Sequence, residues 1–187
     1  MRRAACRWAS VAALAAISVL ASTAARAASL HLYSYDPADQ PTREASGGLT
    51  FEVRKGLMHS TVLSLMATEA KASAPLRKVD AGALGRGGLA AALGPAPAER
   101  DIYQVVAKDE GPALISALCP GSKRAWLAFG VVRFDGDLKV DVIGDQAGRP
   151  VRLCRTLAFN FHGEWTAPAT SRLVRERDLP HGRFPGT

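Results

Sequence analysis

Apolar and polar residues alternate in several separate stretches after residue 28, and these read as strands. In residues 29–35, Leu30 and Leu32 share one face and His31, Tyr33 and Tyr35 share the other, as a period of two requires. Asp36-Pro37 and Gln40-Pro41 stop this strand, and the polar run to Gly48 reads as a loop. In residues 49–54, Leu49, Phe51 and Val53 oppose Thr50, Glu52 and Arg54. After Lys55-Gly56, residues 61–67 return as a central strand that is apolar on both faces, giving a hairpin with a connection longer than two residues. Residues 76–79 suit a short strand, and residues 89–93 a turn or two of helix ended by Gly94-Pro95. Ile102, Val105 and Val106 fall at helical spacing, with Glu99 and Asp101 in the first turn, so residues 98–108 are expected to be helical, with a strand as the alternative that Tyr103 and the two valines offer. Pro112 opens another helix, 112–118, with Leu114, Ile115 and Leu118 facing inward.

From Cys119 to Trp165 the pattern predicts an antiparallel meander. Residues 123–134 form a strand, Asp135-Gly136 is a type I′ turn candidate, and the chain returns from Asp137. A two-residue loop would place Phe129 opposite Val142 and Val131 opposite Val140, gathering Leu127, Phe129, Val131, Leu138, Val140 and Val142 on one face. In the last strand, 152–165, Leu153, Leu157, Phe159, Phe161 and Trp165 share a face, opposite Cys154, Thr156, Asn160, His162 and Glu164. The expected fold is α+β: a mainly antiparallel sheet of about six or seven strands, with two or three short helices on one face.

The ends change the picture. Arg2, Arg3 and Arg7 precede a short apolar run, 11–20, and Ala25-Arg26-Ala27 fits a cleavage site. Residues 1–27 therefore read as a cleaved secretory signal peptide. Residues 28–167 read as one domain, and 168–187, rich in Pro, Arg and Gly, as a flexible tail. The leader holds four of the 24 basic residues and none of the 17 acids, so the net charge falls from +7 to about +3 on cleavage. That removes most of the basic excess that would suggest a nucleic-acid partner, and no transmembrane segment is expected after cleavage. Two cysteines remain, Cys119 and Cys154. Export makes a disulfide the expected pairing, closed by the helix before the meander and the start of the last strand.

Candidate chemistry is sparse. The chain has no Gly-x-Ser-x-Gly, His-Glu-x-x-His or Gly-x-Gly-x-x-Gly motif, and no cofactor or resident metal is expected. Ser122 after Pro120-Gly121 is an ordinary post-turn serine. Cys119, Cys154 and His162 would suit a three-ligand metal site only if the disulfide did not form. Asp137, Asp141 and Glu164, with Lys139 among them, are expected on solvated strand faces. His31, Tyr33 and Tyr35 are a candidate ligand face. The function expected is that of an exported, periplasmic or secreted domain without catalysis, binding an envelope component or small ligand or serving a structural role. The alternative is a small exported hydrolase using His162 and Glu164, neighbours on one face of the last strand.

Overall fold

The computed structural model describes residues 29–56, 59–85, 87–94, 101–132, 136–147 and 149–167. The expected leader and tail lie outside them. The strands are β1 (Ser29–Pro37), β2 (Leu49–Lys55), β3 (Ser60–Ala67), β4 (Ala72–Val79), β5 (Asp101–Val105), β6 (Ala125–Phe129), β7 (Leu138–Gln146) and β8 (Arg149–Ala167). The helices are α1 (Gln40–Ser46), α2 (Gly88–Leu93) and α3 (Gly111–Leu118), and a 3-10 turn spans Ala81–Leu84. Each strand pairs antiparallel with the next, and β8 pairs with β1, so the sheet closes into an eight-stranded barrel.

This corrects the expected α+β sheet with helices on one face. The decisive segment is residues 101–105, expected within a helix and found as β5. Tyr103 and Val105 face the barrel interior, while Ile102 packs into a separate apolar cluster on the outer wall. Burial on both faces erases the alternation of a strand and leaves spacings that imitate a helix. The count matters for topology. In an up-and-down meander, first and last strands run antiparallel only when their number is even, so this eighth strand allows closure.

Inward residues fill the barrel. Tyr35 packs edge-on to Phe51 and Phe161 at 6.0 and 5.7 Å between centroids, and Tyr103 stacks on Phe129 at 4.9 Å. A barrel of eight strands is just wide enough for side chains to fill it. The outer wall carries Glu52, hydrogen-bonded to Ser64, Arg77, bonded to Gln104, and exposed Arg54 and Lys139. On one flank the 3-10 turn and α2 lay Leu84, Leu89 and Leu93 over Ile102, Trp126, Ile143 and Val151. Among the described residues no helix is long and apolar enough to cross a membrane.

Helices α1 and α3 lie in the β1–β2 and β5–β6 connections, at the same end, and touch each other. Helix α1 replaces the expected loop. Asp39 caps it by accepting from the Thr42 amide at 2.8 Å, and Pro41 sits in its first turn. Helix α3 matches the expectation: Leu114, Ile115 and Leu118 are buried among the interior residues of the barrel. Cys119, just past its end, is joined to Cys154 with Cα atoms 5.4 Å apart. Val142 faces Arg155 and Ile143 faces Leu153, so Cys154 is the extra residue of a β-bulge. The bulge puts Cys154 and Leu157 on the same inner side, although strict alternation would separate them.

The β6–β7 register also differs from expectation. Phe129 lies opposite Val140, not Val142, and β6 ends there. Val131, expected on the apolar face, is 68% exposed. The supposed turn residues Phe134 and Asp135 lie outside the described residues. A shift of two positions keeps every side chain on its own face, so hydrophobic pattern cannot distinguish the two registers.

Candidate functional site

The barrel end opposite α1 and α3 carries the β2–β3, β4–β5 and β6–β7 connections. There the interior-facing positions turn from apolar to ionisable. On β2, Lys55 continues the inward series Leu49, Phe51 and Val53. On β1, His31 precedes Tyr33 and Tyr35 on the inward face. The fourth member, Glu164, depends on an irregularity. Tyr35 pairs with Phe161 but Ser34 pairs with Gly163, leaving His162 as the extra residue of a second bulge on β8. Past that bulge Glu164 lies directly opposite Tyr33.

The side chains meet at this mouth. Glu164 Oε1 lies 2.8 Å from Lys55 Nζ and 2.5 Å from His31 Nδ1. The Lys55 contact is a hydrogen bond; the His31 approach is a close contact set off the ring N–H axis. His31 Nε2 lies 2.7 Å from Ser29 Oγ. The Lys55 ammonium sits 5.1 Å from the centre of the Tyr33 ring. Across the rim Lys78 pairs with Asp101 at 2.7 Å, and Tyr103 donates a long hydrogen bond to the same carboxylate.

The electrostatics follow from these contacts. The Lys55 hydrogen bond, against a desolvation penalty and with help from Tyr33 and His31, holds the Glu164 carboxyl below the usual carboxylate range. At Lys55, burial alone would favour the neutral amine; Glu164 and Tyr33 outweigh it and hold the ammonium above the usual lysine value. Burial raises Tyr33, with Lys55 opposing and Glu164 adding. Burial and then the Asp101 charge push Tyr103 up to about 12.

The expected site residues are redistributed. His31, Tyr33 and Tyr35 do share a face, but it is the inner wall of the barrel: Tyr33 and Tyr35 are buried, Tyr33 beneath the Lys55 ammonium, and His31 lies nearer the rim. His162 and Glu164 are not brought together. His162 is on the outside, bonded to Asp36 at 2.7 Å and stacked on Trp165, while Glu164 turns inward. Asp137 is exposed, and Asp141, on the outer wall, accepts the Thr156 hydroxyl at 2.5 Å. Asp141 therefore shares no face with Glu164. Ser122 donates to the Asp145 carbonyl and lies 3.0 Å from Cys119 Sγ, inside the disulfide end. With both cysteines in one bond, the three-ligand arrangement with His162 does not assemble. Among the described residues no group of three or more His, Cys, Asp or Glu side chains is placed to hold a metal ion.

Lys55 is the residue the sequence reading passed over. Its signal was local: a lysine in phase with three buried apolar residues of one strand. Its pairing with Glu164, 109 positions away, had none. No protein-family model matches the chain, and no curated protein or solved structure is detectably similar to it.

Proposed function

We propose that this chain is an exported barrel that serves the cell envelope by binding, and that its working end is the mouth formed by His31, Tyr33, Lys55 and Glu164. The observation carrying this reading is the convergence of an ammonium, a carboxylate, an imidazole and a phenol from three strands, at the end free of α1 and α3. A ligand bringing both an acidic and a basic group is complementary to Lys55 and Glu164 side by side. Two features favour the setting. The Cys119–Cys154 bond suits an oxidising compartment. Exposed Arg54 and Lys139 on the outer wall, around an apolar interior, do not suit a bilayer-spanning barrel, whose outer face is apolar. The bulge at His162 puts His162 and Glu164 on different faces, which gives no support to a hydrolase built on that pair.

The test is titration of the exported protein with small amino acids, amines and carboxylates, followed by amide chemical shifts. Binding should perturb the mouth and weaken about tenfold or more in Lys55→Ala and in Glu164→Gln, the loss of one charged contact. Arg77→Ala on the outer wall should leave it unchanged. Affinity indifferent to both mouth substitutions would contradict the assignment.

A further inference from the structure

Ser29, His31 and Glu164 stand in a row at the mouth. Residues i and i+2 of a strand share a face, so β1 sets the Ser29 hydroxyl beside His31, with Oγ 2.7 Å from Nε2. The bulge at His162 brings Glu164 to the other ring nitrogen, with Oε1 2.5 Å from Nδ1. Lys55 holds that carboxylate from a second side. The order is hydroxyl, Nε2, Nδ1, carboxylate, in which a histidine can take a serine proton while the nearby carboxylate offsets the positive charge the ring then gains. Ser29 is half-buried and the His31 side chain is 13% exposed, so the hydroxyl sits at the lip and not in the packed interior.

We infer that Ser29 is an activated nucleophile that accepts the acyl group of a small carboxylic ester. The inference rests on the mouth being the working end and adds a reaction to it. Ser29 Oγ attacks the ester carbonyl as its proton passes to His31 Nε2. The new Oγ–C bond forms, the bond from carbon to the alcohol oxygen breaks, and His31 returns the proton to the departing alcohol. Water then attacks the acyl-serine with His31 again taking the proton. The carboxylic acid leaves and Ser29 recovers its hydrogen. His31 is the base in both steps, and Glu164 is a positioning residue acting through it.

The test treats the exported protein with a fluorophosphonate probe and with p-nitrophenyl acetate, and maps adducts by peptide mass spectrometry. One adduct per chain on Ser29 is expected, absent in Ser29→Ala. His31→Ala should slow labelling about a hundredfold, the scale of general-base assistance. Added imidazole should restore part of that rate, and formate part of the rate lost in Glu164→Ala, responses a merely structural role would not give. Labelling absent, or at other residues, or as slow as for free serine, would overturn the inference. If the mouth still binds ligand in that case, the binding reading stands alone; if neither occurs, both fall.

Discussion

Single positions carry much of the closed end. Gly144 faces inward from β7, and a Cβ there would collide with Cys119 Sγ, Ser122 Oγ and Cys154 Sγ. Gly144→Ala should therefore destabilise the fold by about 1–3 kcal/mol, the cost of overpacking a filled site, as read from the denaturation midpoint at unchanged m-value. Thr42, buried on α1, accepts the Ala158 amide at 3.0 Å. Thr42→Val keeps its shape but orphans that amide, for an expected loss of roughly 1–3 kcal/mol in the same assay. At the mouth the signs are set by charge. Glu164 has a lower pKa folded than unfolded, so its contribution is complete above the unfolded value of about 4.3 and is lost as pH falls through the folded value. Asp145, where amides of Arg124 and Lys123 and the Arg124 side chain outweigh burial, behaves likewise. Lys55 and Tyr103 are raised, so their contributions are complete below about pH 10 and are lost as pH rises through the folded values. Melting temperature should be highest between about pH 5 and 9. The gap between wild type and Glu164→Gln should be widest there and shrink below about pH 4.

At the level of elements, α3 is held by its apolar face and by one covalent bond. The disulfide spans a sequence separation of 35, so Cys119→Ala with Cys154→Ala should cost about 3–4 kcal/mol. Hydrogen exchange should show α3 losing protection before β2, whose partners lie on both sides. Uniform loss across the barrel would mean the bond does not act through α3. Much at this scale was legible. Alternation located β1 and β2, a run apolar on both faces located β3, helical spacing located α3, and two cysteines behind an expected export signal implied the bond. What was hidden has physical causes. Burial on both faces disguised β5 as helix. A polar run concealed α1, although Asp39 and Pro41 were there to be read as a cap and first turn. The bulges at Cys154 and His162 leave no mark in composition, yet each turns the residues beyond it to the other face. The apparent conflict between Cys154 and the apolar stripe of β8 came from assuming an unbroken alternation.

In the whole molecule, closure produces both ends at once. Eight strands bring β8 beside β1; one end receives α1, α3 and the disulfide, and the other receives inward Lys55, His31 and Glu164. None of this was visible before the eighth strand was recognised, because seven strands of a meander leave first and last parallel. The mouth and both functional proposals depend on the β1–β8 seam and on its bulge. Cross-strand nuclear Overhauser effects along that seam test this most directly. The account predicts contacts pairing Tyr35 with Phe161, Ser34 with Gly163 and Tyr33 with Glu164, with His162 left over. A continuous register pairing Tyr33 with Gly163, or no contact between the two strands, would contradict it.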